Sequence, residues 1–295
     1  MAVQLDLESA SHIARRLGLD EHGLRCRPMA GGSIARPWLI ETRDQILFIK
    51  LMSARQAGIL SAESDGLAAL DQTGAVRVPR VFGRGVDDDL AWLALEFLPL
   101  NSRHADADMR LGRALARIHR HAGEHYGWSR DNFIGLTPQP NPAEQDWTTF
   151  FLWQRLGHQL ELLEKKDPGG NWSGFQRPLF ETWQARFGRH RPEPALVHGD
   201  LWSGNAAMDD EGEPVLYDPA VHYADRECDL AMSRLFGGFS EAFYRAYEAA
   251  WPLPKGHEAR RPWYQLYHLL NHANLFGDSY ASRAKGLIES LVRRD

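Results

Sequence analysis

Cysteine is scarce in this sequence, with only Cys26 and Cys228 among 295 residues. Two isolated thiols supply neither a metal-ligand pattern nor a disulfide framework. No apolar run approaches the length needed to cross a bilayer. The opening MAVQLDLESASHIARRL lacks the basic start and apolar stretch of a signal peptide. Positive charge is not in excess either: 34 Lys and Arg stand against 39 Asp and Glu, a net charge of −5. Such a chain has no overall field to draw nucleic acid or an anionic membrane. Internal repeats and low-complexity tracts are absent as well. The expectation is a soluble protein of a reducing compartment, the cytoplasm, with no nucleic-acid or membrane partner. What is present is ordinary for a globular chain, 43% apolar and 25% charged, with length for one large core or two modest ones.

Periodicity divides the chain unevenly. Leu7, Ala10, Ala14 and Leu17 recur at helical spacing, with Asp6 as a cap. Strand-like runs follow at 36–42 and 45–52, a helical run at 55–70 ended by Thr73-Gly74, and strands again at 76–83 and 90–98, where Pro99 stops the last. From about Asp108 the pattern turns helical. Leu111, Leu115 and Ile118 form one stripe, and Trp153, Leu156, Leu160 and Leu163 another; 263–276 and 284–292 continue it. The interruption at 195–218 reads as strand, loop, then hairpin. This predicts an α+β chain in two lobes: a β-rich N-terminal lobe with one key helix (1–98), and a mainly helical C-terminal lobe (99–295).

The sharpest motif is His198-Gly199-Asp200-Leu201-Trp202-Ser203-Gly204-Asn205. It fits the catalytic-loop pattern H-R-D-L-x-x-x-N of kinases, with Gly199 in place of arginine. Phosphoryl transfer needs a carboxylate to accept the acceptor hydroxyl's proton and a metal to neutralise the phosphates. Asp200 suits the first task. Asn205, five residues on, suits Mg²⁺ through its amide oxygen. The hairpin after it returns the chain to Asp218-Pro219-Ala220, in the place of the metal-binding D-F-G motif. Either aspartate alone reads as a turn cap or a strand end. The loop, the spacing and the hairpin together read as a kinase.

The strand 45–52 is apolar except for Lys50, which shares a face with Phe48 and Met52. An edge-strand lysine that blocks aggregation is the plain alternative. In the next helix, however, Leu60, Glu63, Leu67 and Leu70 are three and four apart, which puts Glu63 on the apolar face. A carboxylate there is costly without a cation, and a Lys–Glu pair is how kinases hold the α- and β-phosphates. Gly31, Gly32 and Ser33 are candidates for a phosphate-covering loop, although that stretch is neither G-x-G-x-x-G nor Walker A and paired glycines often only mark a turn. Glu96, Phe97 and Leu98, where the strand lobe ends, are candidates for contacts to adenine.

With these residues in place, the sequence resembles the fructosamine (ketosamine) kinases, of the aminoglycoside phosphotransferase branch of protein-kinase-like folds. The resemblance runs through nearly the whole chain. It is carried by LVHGDLWSGN at 196–205, DPA at 218–220, DRECDLAM at 225–232, LFGGF at 235–239, WPL at 251–253 and LYHLLNHANLF at 266–276. NFIGLTPQPN at 132–141 and Asp146-Trp147 also fit. The resemblance implies ATP- and Mg²⁺-dependent phosphorylation of a hydroxyl on a ketoamine, such as a fructosamine or ribulosamine adduct of lysine or protein, with repair of glycated protein as the outcome. It implies that Lys50, Glu63, Asp200, Asn205 and Asp218 keep the roles given above, and that Asp229 braces the catalytic loop. Some relatives carry a redox-sensitive cysteine in the glycine-rich loop. This chain has Ser33 and no cysteine there, so disulfide dimerisation through that loop is not expected.

The stretch 126–151 has no helical or strand period and is rich in Gly, Pro and Asn. A loop of that length in a compact domain is often functional. Asn132 within it, Trp202 in the catalytic loop, and His268 and His272 one helical turn apart are candidates for the acceptor site. The histidines also read as packed residues, or as an i, i+4 metal pair lacking a third ligand. His119 reads as a packed histidine near the catalytic loop, and Arg226–Glu227 as an ion pair. The competing readings are a kinase for an aminoglycoside, choline or a free sugar, and a nucleotide-binding regulatory protein without catalysis.

Overall fold

The structure, a computed structural model, describes residues 4–29 and 36–293. These fall into two compact units, one drawn from Met1–Arg103 and Ala207–Asp218, the other from His104–Ala206 and Pro219–Asp295. The hairpin that ends at Asp218 thus belongs with the N-terminal strands, although it lies far along the chain.

The first unit is built on a five-stranded antiparallel sheet. Its strands are β1 (Arg25–Pro28), β2 (Arg36–Glu41), β3 (Ile46–Ser53), β4 (Val81–Asp87) and β5 (Leu90–Glu96), in the order β1-β2-β3-β5-β4. Alternation in β3 buries Leu47, Ile49 and Leu51 on one face. Against them pack Ile13 and Ala14 of helix α1 (Leu7–Arg16), with Ile40 and Trp92. Asp6 caps α1 by accepting from the Ser9 N–H at 2.8 Å, an interaction of about 1 kcal/mol. Helix α2 (Ala57–Gln72) buries Leu60, Leu67 and Leu70. The strand expected at 76–83 starts only at Val81. Pro79, two residues before it, has no N–H to give a ladder, and 78–80 are irregular, with Arg77 in an isolated bridge. Strand β1, an edge strand of four residues, was not foreseen. Later in the chain, Ala206–Met208 and Pro214–Leu216 form the expected hairpin.

The second unit is helical. Helix α3 (Ala105–His119) lies against the helix Glu241–Ala250 so closely that a Cβ on Gly112 would stand 2.2 Å from the Phe243 carbonyl oxygen. The helix His257–Phe276 runs through an aromatic core of Trp147, Phe150, Phe151, Trp172, Trp183, Trp263 and Tyr264. Each such ring removes some 150–250 Å² from water. Their polar tips are engaged too: Trp147 Nε1 donates to the Tyr264 hydroxyl at 3.1 Å, and that hydroxyl donates to Asp225 at 2.6 Å. The helix Trp172–Phe187, with Pro178 inside it, was not foreseen. An antiparallel ribbon pairs Ala195–Val197 with His222–Ala224, fixing the strand that enters the catalytic loop against the segment beyond Asp218.

Candidate functional site

In the first unit, β3, α2 and the end of the hairpin bring three predicted residues together. Lys50, opposite Leu93 in the sheet, donates to Glu63 Oε1 at 2.7 Å and also to Asp218 Oδ1. Burial alone would lower the Lys50 ammonium, but Asp218 and Glu63 outweigh it and keep it protonated well above neutral pH. Burial pushes the Glu63 carboxyl up to about 7, only partly offset by Lys50. Asp218 holds its place with φ 57°, in the left-handed region. Outside glycine this region is occupied mostly by Asn and Asp, and strain there is a frequent mark of a functional position. Glu96 closes β5, and its N–H donates to the Arg80 carbonyl at 2.8 Å. Phe97 and Leu98 follow it in irregular chain. Gly31, Gly32 and Ser33 lie outside the described residues.

In the second unit the catalytic loop is held from below. Asp229, buried on the helix Glu227–Leu235, accepts the His198 N–H at 2.7 Å and the Gly199 N–H at 2.9 Å. Burial opposes ionisation of Asp229, yet the buried His119 ring beside it and these N–H donors hold its carboxyl below the usual range. His119 is therefore more than packing: Nε2 meets Asp229 at 3.1 Å and Nδ1 meets the Tyr247 hydroxyl at 2.9 Å. The departure from H-R-D now has a physical reason. Gly199 has φ +84°, and a Cβ there would lie 2.1 Å from the Ala220 carbonyl oxygen, so no side chain is tolerated. Asn205 turns its amide nitrogen to the Asp200 carbonyl (2.9 Å) and carboxylate (3.2 Å), which ties the two predicted residues together.

The acceptor candidates are placed differently from one another. Trp202 is exposed, its ring lying over Gly204. Asn132 is buried, with its amide donating to the Val221 carbonyl and accepting from Gln139 and Asn141. His268 is buried, and burial pushes its imidazole down to about 3. His272 Nδ1 meets the His268 carbonyl at 2.8 Å, and its ring sits among those of Phe236, Tyr280 and Phe276. Arg226 and Glu227 do not pair with each other. Glu227 takes a two-pronged contact from Arg260 at 2.6 and 2.9 Å, while Arg226 donates to the Tyr247 hydroxyl and to the carbonyls of Trp251 and Pro252. Sequence adjacency suggested a pair that helical geometry splays apart.

Two buried cations went unread in the sequence, Arg260 on Glu227 and Arg155. Arg155, in the π-helical stretch Phe150–Gly157, donates to the Pro140 carbonyl at 2.7 Å and to Asn141 Oδ1 at 2.6 Å, with Phe150 beneath it. Burial lowers its guanidinium to about 10. Its position four residues after Phe151 on an apolar face was the available signal.

The sequence profile of the fructosamine kinase family matches residues 7–294. A protein of Synechocystis sp. named Probable ketoamine kinase is 42% identical over 270 residues, covering 90% of each chain. One of Escherichia coli K12 with the same description is 37% identical over 281 residues, covering 95% of this chain and 96% of its own. Among solved structures, one from Haemophilus somnus 129PT, assigned provisionally as a fructosamine-3-kinase, superposes with a TM-score of 0.86 at 30% identity over 96% of each chain. The choline kinase LicA of Streptococcus pneumoniae superposes with a TM-score of 0.66 at 14% identity, over 96% of this chain and 99% of its own, which speaks to the fold alone. The fold is therefore the α+β, two-lobed, protein-kinase-like fold, and the chain belongs to the fructosamine kinase family of ATP-dependent phosphotransferases with an alcohol group as acceptor.

Proposed function

We propose that this kinase transfers the γ-phosphoryl group of ATP to a sugar hydroxyl of a ketoamine, with fructosamine and ribulosamine adducts of lysine, free or on protein, as acceptors. Its role is the repair of glycated protein in the cytoplasm. Among the described residues no helix is long and apolar enough to cross a membrane, which is compatible with that setting. The observation that carries the acceptor class is the family match over residues 7–294, which includes the catalytic loop and the helix His257–Phe276 as well as the strands. Likeness at 14% identity to a choline kinase favours no other acceptor.

Within this reading the chain passes from the first lobe (1–98) to the second (99–295) after Leu98, with the hairpin that ends at Asp218 returning to the N-terminal strands, and each candidate has a task. Asp200 accepts the proton of the attacking hydroxyl as the new O–P bond forms and the bond to the β-phosphate oxygen breaks. Lys50 holds the α- and β-phosphates and Glu63 aims it, a role suited to a buried lysine between carboxylates. Asp218 and Asn205 offer a carboxylate and an amide oxygen, hard donors that suit Mg²⁺. When bound, the ion neutralises charge on the phosphates. Backbone groups at 96–98 receive adenine, with the Glu96 N–H already committed to Arg80. Gly31, Gly32 and Ser33 cover the phosphates. Trp202, His268, His272 and Asn132 contribute to the acceptor wall, Asn132 by holding the backbone at Val221.

The test is ADP release from Mg·ATP by the purified protein. Acceptors would be glycated lysine, ribosylated lysine and glycated protein, beside a panel of aminoglycosides, choline and free sugars. Turnover confined to the ketoamines is the expected result. Turnover only among the other compounds would overturn the acceptor class and leave the phosphotransferase assignment standing.

A further inference from the structure

Arg77 lies between α2 and β4, outside the residues assigned above. Its guanidinium forks between two carboxylates from distant parts of the chain: Nη1 donates to Asp209 Oδ2 at 2.7 Å and Nη2 to Glu96 Oε1 at 3.1 Å. Its carbonyl accepts from the Leu216 N–H at 3.0 Å, and it bridges Val215 in parallel. Each of these partners governs a segment. Asp209 is buried, and its other oxygen accepts the N–H groups of Glu211 and Glu213 at 3.0 and 2.9 Å, which shapes the turn of the hairpin. The second strand of that hairpin, Pro214–Leu216, ends two residues before Asp218. Burial raises the Asp209 carboxyl, but the Glu213 N–H and Arg77 outweigh it and hold it below its usual range. Glu96 is the last residue of β5, and its second oxygen accepts the Arg80 N–H at 3.3 Å. A second tie runs alongside: Asn101 and Met208 exchange backbone hydrogen bonds, and Asn101 Nδ2 donates to Asp210 at 2.9 Å.

An exposed ion pair contributes little, but Asp209 is only 5% exposed at its side chain, and losing its cation leaves a buried carboxylate with a weaker shell. Lysine would copy the contact only in part, since its single ammonium lacks the planar fork that aims one nitrogen at each carboxylate.

We propose that Arg77 is a positioning residue: it fixes the spacing between the 96–98 segment and Asp218, so that one nucleotide engages both at once. This rests on the nucleotide roles proposed above. Arg77 touches no substrate. It acts through Glu96 on the adenine side and through Asp209 on the metal side. The energetic consequence falls on ligands that need both ends.

The experiment compares adenosine and Mg·ADP binding by calorimetry, kcat and KM for ATP, and melting temperature, in Arg77→Met, Arg77→Lys, Asp209→Asn and the Arg77→Met/Asp209→Asn double variant. Expected are adenosine affinity within about twofold of wild type and Mg·ADP affinity and kcat/KM lower by about tenfold, the worth of one charge-assisted hydrogen bond. Arg77→Lys should recover part of the loss, and the double variant should lose less than the sum of the single losses. Equal weakening of adenosine and Mg·ADP, or a lower melting temperature with their ratio unchanged, would reduce Arg77 to a fold contact and overturn the proposal. Lys50→Met and Asp218→Asn run in parallel. If they leave Mg·ADP binding intact, the nucleotide assignment itself has failed and takes this proposal with it. If they abolish it while Arg77→Met keeps the wild-type ratio, only the Arg77 role is lost.

Discussion

Gly199→Ala is the smallest change that tests how the catalytic loop is held. The added Cβ would sit 2.1 Å from the Ala220 carbonyl oxygen and 2.8 Å from its carbon, both backbone atoms that cannot swing aside. The left-handed φ of +84° adds about 1–2 kcal/mol for any L side chain. Relief of the clash must move residue 199, which strains its 2.9 Å hydrogen bond to Asp229, a charge-assisted bond of about 1.5–3 kcal/mol. Together these place the loss at about 3–5 kcal/mol, or roughly 6–20 °C in melting temperature for a chain of this size. Two controls separate the causes. Gly237 has φ +72° with nothing within 4 Å of its Cβ position, so Gly237→Ala should show only the backbone strain of about 1–2 kcal/mol. Gly286 sits in the helix Asp278–Val292 with open space around it, so its alanine variant should be neutral or slightly stabilised. Thermal unfolding and ADP release are read on all three. If Gly199→Ala melts and turns over like Gly237→Ala, the close approach to Ala220 does not constrain the loop and the reasoning fails.

Asp229→Asn should lower kcat at least tenfold and reduce thermal stability, because an amide turns a donor toward the His198 and Gly199 N–H groups or toward His119; kcat within threefold of wild type speaks against the brace. His268 predicts an acid limb. Its folded pKa of about 3 lies below the 6.5 of an unfolded histidine, so the unfolded chain takes the proton first. The stability it confers is complete above pH 6.5 and is lost as pH falls toward 3, about 2 kcal/mol of it between pH 7 and 5. His268→Phe should flatten urea midpoints across that window by this amount, and an unchanged pH slope refutes the assignment. On the phosphate-holding role proposed for Lys50, Lys50→Met should reduce kcat/KM for ATP by about a hundredfold or more, the scale of a lost charge-assisted hydrogen bond or two; unchanged kinetics would remove that role.

Much of this was legible in the sequence because it is local. The spacing of Leu60, Glu63, Leu67 and Leu70 announces a carboxylate on an apolar face, and the structure gives it Lys50. The interval from Asp200 to Asn205 announces a loop that folds back, and the side chains meet. What was not legible depends on partners far away. Arg77 finds Glu96 and Asp209 at separations of 19 and 132 residues, and Glu227 finds Arg260 rather than its neighbour. Strand β1, with the sequence RCRP and mostly exposed, has no alternation to read. The helix Trp172–Phe187 was hidden by Pro178 in its first half, where tertiary packing of Trp172, Leu179 and Trp183 overrides the local signal. Gly199 read as a departure from a motif until its φ and the nearness of Ala220 gave the reason.

The most direct test of the central claim is the mass of the acceptor itself. A peptide carrying one fructosamine or ribulosamine lysine is incubated with Mg·ATP and either the wild-type protein or Asp200→Asn, with nucleotide binding checked in both. The account predicts that the wild type adds one phosphoryl group to the ketoamine, and that Asp200→Asn binds ATP but adds none within many wild-type turnover times. A phosphorylated peptide formed at a near-normal rate by Asp200→Asn, or an unmodified ketoamine beside a phosphorylated unglycated control, would contradict it.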